Sequence, residues 1–393
     1  MTSGRIVIVG AGQGGLQAAV CLRQEGYLGP ITLIGSENHL PYQRPPLSKA
    51  YLKTGQADSL RLRPLSFFND QNITLLLGNA VTNIDPATQQ VAHCSGTLVY
   101  DHLILAMGTR NLRPDIPGLE HALDLRTLDD AERLRLAMID AHSVAVIGGG
   151  FIGLEFAAVA RGLGLQVTVA EAAPRLMARV VSPQMSEHFL KLHRAMGTTI
   201  MLNASVSQVN AKGIVACGST VKADLVVLAA GVRPNTELAQ QAGLAIDNGV
   251  RTNAHLLTSD PAISAIGDCA AFPDPATGRL VRLESVQATT DHARLIARRL
   301  TKGSSDKYTS VPWFWSDQAE NKLQIAGFAT PGDVAIMRAD GAVFCFEGDY
   351  LSAVETVNDP RTHMQARQLL VGGARPTRDI LDNQGYEISP IQR

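Results

Sequence analysis

Short, wholly apolar runs that end in glycine turns recur along most of this chain, and alternating apolar and polar positions take over near its end. Ile6, Val7, Ile8 and Val9 form the first such run, the pattern of a strand buried on both faces of a parallel sheet. Gly10, Ala11, Gly12, Gln13, Gly14 and Gly15 follow, and the stretch from Leu16 to Leu22 has the Ala-rich spacing of a helix that closes near Gly26. Residues 31–34 then supply a second strand. In a strand, glycine turn and helix of this spacing, Gly10 makes the tight turn, Gly12 lets backbone approach a pyrophosphate, and Gly15 lets helix pack on strand. Phosphate charge then sits at a helix N-terminus. The acid that holds a ribose is expected at the end of the second strand. Ser36 occupies the earlier candidate position there, and Glu37 lies one place later.

The pattern then starts again. Residues 144–147 are apolar and are followed by Gly148, Gly149, Gly150, Phe151, Ile152 and Gly153, a helix through Leu154, Phe156, Ala157 and Val159, and a strand at 167–170 that ends on Glu171. The apolar run before Ala106 and Gly108 is echoed by the run before Ala230 and Gly231. A long internal repeat of this kind predicts two nucleotide-binding domains of one design, one for a flavin dinucleotide and one for a nicotinamide dinucleotide. Prolines at 41, 45 and 46 predict a stiff, extended loop over 39–49. Alternating runs at 323–328, 334–338, 342–347 and 350–357, with a helix at about 360–371, predict a small α+β domain. Lys302 to Asp306 reads as an exposed linker before it.

Composition narrows the classes. The 393 residues suggest two or three domains, and a 45% hydrophobic, 18% charged chain with net charge −1 gives no reason to expect nucleic acid or a membrane surface as partner. No charged segment with an apolar stretch precedes the first strand, and no run of about 18 apolar residues occurs, so a cytoplasmic location is expected. The 5 cysteines and 10 histidines show no metal-ligand spacing, and the cysteines read as reduced, mostly buried small hydrophobes.

The Gly10 turn, Pro45-Pro46-Leu47-Ser48-Lys49, the Gly148 turn with Glu155, Gly267-Asp268, Glu284-Ser285-Val286 and Trp313-Phe314-Trp315-Ser316-Asp317-Gln318 together resemble the FAD-dependent, NADH-using ferredoxin reductases that feed bacterial oxygenases and cytochromes P450. The resemblance spans nearly the whole chain. It implies an α/β fold of two Rossmann-like domains in the glutathione-reductase manner plus the C-terminal α+β domain. The FAD domain would be discontinuous, 1–110 and 235–312, with the NADH domain at 111–234 and an interface domain at 313–393. It further implies that Asp268 holds the FAD ribityl chain, that Lys49 lies beside flavin N5, and that Glu155 pairs with Lys49 or touches the nicotinamide amide. Trp315 joins Lys49 and Glu155 in the catalytic set. Arg44, Pro46, Val81, Ala106, Gly108, Arg126, Glu284, Ser285 and Val286 complete the FAD contacts. The partner implied is an iron-sulfur ferredoxin of the [2Fe-2S] kind, with the chain a monomer or weak homodimer. Two other readings share the architecture: an NADH-dependent disulfide or peroxide reductase, which needs a reactive cysteine beside the flavin, and a flavin-bearing NADH sensor of the apoptosis-inducing-factor type.

Two further expectations concern charge. Glu171 should accept from the adenosine ribose and repel a 2′-phosphate, with Arg175 and Arg179 as the residues that could oppose it. An acidic ferredoxin calls for a basic patch, with Arg298, Arg299, Lys302, Arg175 and Arg179 as candidates around Trp315.

Overall fold

The computed structural model describes residues 3–330, 332–371, 375–383 and 385–387. The chain forms two compact units. One comprises Met1–Gln43, Asp58–Arg110 and Arg233–Pro312, the other Arg44–Ala57, Asn111–Val232 and Trp313–Arg393. Among the described residues no helix is long and apolar enough to cross a membrane.

The first unit is built on a five-stranded sheet in the spatial order Ile263–Ala265, His102–Leu105, Ile6–Val9, Ile31–Ile34, Ile73–Leu76. All pairings are parallel, with Val9 opposite both Ile34 and Leu105. The wholly apolar strand Ile6–Val9 fits its inner position, where all four residues are buried. Helix Gln13–Gln24 packs on one face of the sheet beside helix Val286–Lys302. The first strand sits between its neighbours in the order, so the turn at its carboxyl end lies where ligands of open α/β sheets bind.

The second unit repeats the plan. Its parallel sheet runs Thr199–Met201, Gln166–Ala170, Ser143–Ile147, Leu225–Leu228, Leu123–Asp124, again with the glycine-turn strand inside. In each unit a three-stranded antiparallel sheet accompanies the parallel one, Val81–Asp85 with its two partners in the first and Val206–Asn210 with its two in the second. The C-terminal part of the second unit is a five-stranded antiparallel sheet in the order Trp313–Gln318, Asn321–Gly327, Tyr350–Val357, Val343–Glu347, Val334–Met337, with helix Pro360–Leu370 packed on it. The edge strand Trp313–Gln318 extends the sheet beyond the alternating runs legible in the sequence. Asp359 caps the helix, accepting from Thr362 N–H at 3.0 Å, and Pro360 at its first position lacks the N–H that would otherwise be orphaned.

The segment predicted as an extended loop is different. Pro45–Ser48 is a 3-10 turn and Ala50–Thr54 a short helix. Prolines at the start of a helical turn lose no hydrogen bond and have the φ the turn requires, so they nucleate it here instead of holding the chain extended.

Helix Pro183–Ala195 of the second unit joins the nucleotide-binding part to the C-terminal sheet. Its cap, Ser182, donates its N–H to Glu355 Oε1 at 2.7 Å and its hydroxyl to Glu355 Oε2 at 2.5 Å. Burial pushes the Glu355 carboxyl from an ordinary 4.5 up to about 7, against the pull of the two Ser182 donors and of Arg175. A carboxyl whose pKa is higher folded than unfolded keeps its proton longer in the fold, so stability falls as pH rises from about 4.5 through about 7 and the full penalty remains above that. In Glu355→Gln this component of the fall is absent. Thermal melts across about pH 5 to pH 8 check it: a variant whose Tm declines as steeply as the parent's would show that Glu355 does not titrate in the fold.

Candidate functional site

The two glycine turns have the same geometry for the same reasons. Gly10 and Gly148 hold φ of +111° and +109°, and a Cβ there would stand 2.2 Å from the Ala106 carbonyl oxygen and 2.3 Å from that of Ala229. Gly15 and Gly153 let their helices close on the turn, where a Cβ would meet the carbonyl oxygen of Gly10 at 1.9 Å and of Gly148 at 2.2 Å. Gly12 and Gly150 behave otherwise. Each is an N-cap with extended backbone and no side-chain cap, and a Cβ on either would meet nothing within 4 Å. Nothing in the protein demands glycine at these positions, so the demand comes from outside it. Uncapped amides at a helix start facing open space suit the pyrophosphate of a dinucleotide.

In the first unit several of the expected FAD segments converge on that turn. A Cβ on Gly14 would contact Thr289 of helix Val286–Lys302, Ala106 and Ile266, so the turn, the end of His102–Leu105 and the start of the late helix converge. Ser285 caps this helix, accepting from Ala288 N–H at 3.3 Å. Asp268 lies in the 3-10 turn Gly267–Cys269, within 3.5 Å of the Thr109 hydroxyl, while Arg282 donates to its carbonyl at 3.2 Å. Arg282 also pairs with exposed Glu284 at 2.8 Å. Gly108 has φ +63° with open space where a Cβ would stand. Ser36 is exposed, and Glu37 accepts from the Tyr42 hydroxyl at 2.5 Å. Val81 packs against the apolar core of the unit.

In the second unit Glu171 is held by the backbone: Gly149 N–H donates to one oxygen at 2.6 Å and Ala173 N–H to the other at 2.7 Å. The two neighbouring arginines part company. Arg175 is consumed by its own loop, donating to the carbonyls of Val181 and Ala178, both at 2.7 Å, and to Ser186 Oγ at 2.9 Å. Arg179 is exposed and lies beside Gly231, whose Cβ position is 3.0 Å from its guanidinium. Phe151 and Ile152 open the helix after the turn, Ala230 and Gly231 follow the strand Leu225–Leu228, and Arg44 donates to the Arg126 carbonyl at 2.8 Å.

A second tightly held carboxylate of this unit is Glu155, 5% exposed on helix Phe151–Gly162. Lys49 Nζ lies 3.1 Å from its Oε1 and 3.4 Å from Asp317. Ser316 donates to Oε1 at 2.7 Å and Ser48 to Oε2 at 2.6 Å. Burial pushes the carboxyl up, and Lys49 and the two hydroxyls pull it back. The network continues through Gln318, which donates to Ser316 Oγ at 3.2 Å and meets His193 Nε2 at 2.9 Å. Trp315 stacks at a tilt on Trp313, ring centroids 5.5 Å apart. Sequence motifs named Ser48, Ser316 and Gln318 without a role; the two hydroxyls are the partners a buried carboxylate needs, and the Gln318 amide supports Ser316 from behind.

Two of the docking candidates change meaning. Arg299 is half-buried, donates to Ser264 at 2.6 Å and to the His255 carbonyl, and has its pKa pushed down to about 10 by desolvation. Arg175 is occupied as described. Arg298 and Lys302 remain exposed, sharing Glu25. The five cysteines are free, Cys21, Cys269 and Cys345 buried, Cys94 and Cys217 exposed.

Comparison with known proteins agrees with these features. Residues 4–293 match the family described as pyridine nucleotide-disulphide oxidoreductase, and residues 313–390 that described as reductase C-terminal. The chain is 49% identical to rhodocoxin reductase of Rhodococcus erythropolis over 93% of this chain and 89% of that protein. Among solved structures it aligns with the ferredoxin reductase for the CYP199A2 system of Rhodopseudomonas palustris at 44% identity and a TM-score of 0.94, covering 98% of both chains. It also aligns with a chain of the covalent putidaredoxin reductase-putidaredoxin complex at 38% identity and a TM-score of 0.92, covering 97% of this chain and 96% of that one. With two dinucleotide turns, the buried Lys49–Glu155 pair and the C-terminal sheet all in place, the chain belongs to the pyridine nucleotide-disulphide oxidoreductases and, among them, to the ferredoxin reductases that use FAD and NADH.

Proposed function

We propose that this protein passes electrons from NADH through FAD to a [2Fe-2S] ferredoxin serving an oxygenase or a cytochrome P450. The observation that carries the reading is the pair of turns whose Gly12 and Gly150 the protein itself leaves unexplained. Segments 1–110 and 235–312 take FAD, 111–234 takes NADH, and 313–393 completes the catalytic part. FAD, when bound, supplies the conversion of a hydride into single electrons. The chain's own residues bind and orient: the amides after Gly12 and Gly150 meet the pyrophosphates, Asp268 the ribityl chain, and Lys49, Glu155 and Trp315 the reacting rings. The helix that Ser285 caps contributes positive potential at its start.

Disulfide chemistry fits the same architecture poorly here. It needs a thiolate, and burial pushes Cys269 up to about 11 and Cys21 above its ordinary value. The 3-10 turn carries Pro45, Pro46, Leu47 and Ser48 and no thiol.

Replacing the two unexplained glycines separates the sites. Gly12→Val should leave the Tm of the apo-protein unchanged and abolish FAD retention. Gly150→Val should keep FAD and raise the KM for NADH by about 10- to 100-fold, the loss of a charged hydrogen bond. Absorbance at purification and steady-state kinetics read both, and a flavin-replete Gly12→Val would overturn the assignment of the first turn.

Coenzyme choice follows from Glu171. A 2′-phosphate about 4 Å from it is repelled by about 4 kcal/mol per unit charge at an effective dielectric of about 20. Arg175, spent on its own loop, cannot relieve this, and of the two arginines only exposed Arg179, beside Gly231, is left to oppose Glu171; NADH is preferred and Glu171→Ala narrows the preference. Equal kcat/KM for NADH and NADPH in the unmodified protein would refute it.

Arg298 and Lys302, 55% and 62% exposed against one Glu25 carboxylate, are the proposed ferredoxin-facing cations. Reversing both charges should raise the KM for ferredoxin and flatten its dependence on salt, with ferricyanide reduction unchanged. Salt-independent ferredoxin reduction by the unmodified protein would count against a steered complex.

A further inference from the structure

The loop 172–181 connects the ribose-facing acid of the second turn to the cap of helix Pro183–Ala195, and it is gripped from outside. At its start Glu171 is tied to Gly149 and Ala173, and Met177 N–H donates back to the Gly149 carbonyl at 3.0 Å. Leu176 is packed so closely on the turn that a Cβ on Gly149 would stand 2.6 Å from its Cδ2. Loop and turn are therefore one piece, and whatever moves the loop re-aims Glu171. Met177 is buried with φ +50°, a left-handed conformation that costs a long side chain energy and persists only where its surroundings impose it. Arg175 braces the loop internally, yet a brace that moves with the loop cannot fix it in space. Two side chains of the C-terminal sheet can. Gln318 Nε2 reaches Met177 Sδ at 3.6 Å, and Glu355 takes both the N–H and the hydroxyl of Ser182, where the loop ends.

We propose that Glu355 is a positioning residue for the adenosine end of the nicotinamide coenzyme: by clamping Ser182 it holds the loop 172–181, and through it Glu171, in register with the second glycine turn. The chemistry favours a carboxylate for this task. A serine cap presents two donors within one residue, and a carboxylate accepts both at once, whereas an amide can accept only through its oxygen and must turn a donor toward the other. Glu355 is fully buried, so the clamp is not diluted by water. Through Glu355 the C-terminal module thereby contributes to recognition of the adenosine end of the coenzyme without touching that end. This rests on the assignment of the second turn to NADH.

The test compares holoenzyme variants Glu355→Gln, Ser182→Ala, the double variant and Glu171→Ala at about pH 8. Loss of one positioning hydrogen bond predicts an NADH KM, and a dissociation constant for ADP-ribose, raised about five-fold in Glu355→Gln and in Ser182→Ala, with kcat at saturating NADH kept. The double variant should be no worse than the more affected single variant. FAD content and the KM for ferredoxin should not change, and hydrogen exchange of the 172–181 amides should quicken. Should Glu355→Gln fail to fold, Ser182→Ala carries the same readouts. If Glu171→Ala raises the NADH KM while the clamp variants leave it and the amide exchange unaltered, the clamp is structural only and this inference falls alone. If Glu171→Ala also leaves NADH binding unaltered, the assignment of the second turn falls and takes the inference with it.

Discussion

A carboxylate that is almost wholly out of water must be given partners, and Glu155 is such a carboxylate. Three stretches of chain far apart in sequence meet there: Ser48 and Lys49 come from the turn after the first nucleotide unit's second strand, Glu155 from the helix of the second glycine turn, and Ser316 from the edge strand of the C-terminal sheet. Breaking a buried pair by removing one member typically costs about 3–5 kcal/mol, because the other is left desolvated and unpaired. No apolar packing would impose such a specific meeting. The requirement also explains the 3-10 turn: Pro45 and Pro46 tighten the chain so that consecutive residues, Ser48 and Lys49, can both reach one carboxylate.

The two nucleotide turns show how far one backbone solution can be shared before the side chains diverge. Glycines at 10 and 148, and again at 15 and 153, are excluded from any other identity by carbonyl oxygens of the turn itself or of the adjoining strand end. The acids after the second strands are not held alike. Glu171 is fixed by two backbone amides, which leaves its orientation independent of any side-chain rotamer, while Glu37 leans on the hydroxyl of buried Tyr42. A rigid acid suits discrimination between two coenzymes that differ by one phosphate.

Local chemistry was legible in the sequence and remote chemistry was not. Apolar runs, glycine spacing and alternation give the three inner strands of each parallel sheet, their glycine turns and most of the C-terminal sheet, because each is decided by residues close together in the chain; the edge strands Ile73–Leu76, Thr199–Met201 and Leu123–Asp124 are not among them. The Trp313–Gln318 strand escaped that reading, since its two tryptophans obscure the alternation and its buried Ser316 and Gln318 look polar. Arg299 sits in the last turn of a helix, where a solvated cation is ordinary, and only the fold shows it donating to Ser264 and to a loop carbonyl. Arg175 is likewise indistinguishable from Arg179 until the loop between them is seen to close on itself. Ser48, Ser316 and Glu355 carry no signal of their own, because a hydrogen-bond partner from another element leaves no trace in spacing.

The C-terminal sheet is joined to the second nucleotide module by directed polar bonds as well as by packing. Ser316 reaches Glu155, Gln318 meets His193, Gln184 donates to the Ala335 carbonyl at 2.8 Å, and Glu355 takes Ser182. Apolar contact between two layers is non-directional and tolerates sliding, whereas a buried donor displaced from its acceptor costs about 1–3 kcal/mol. Four such bonds spread along the glycine-turn helix and the helix that Ser182 caps leave little freedom of translation or rotation. The same sheet holds Asp317 on the strand that supplies Ser316, so the bonds that fix its attitude also fix the carboxylate it brings to Lys49. Precision in a polar constellation comes from the elements behind it, and here those elements are tied by side chains whose polarity would otherwise count against their burial.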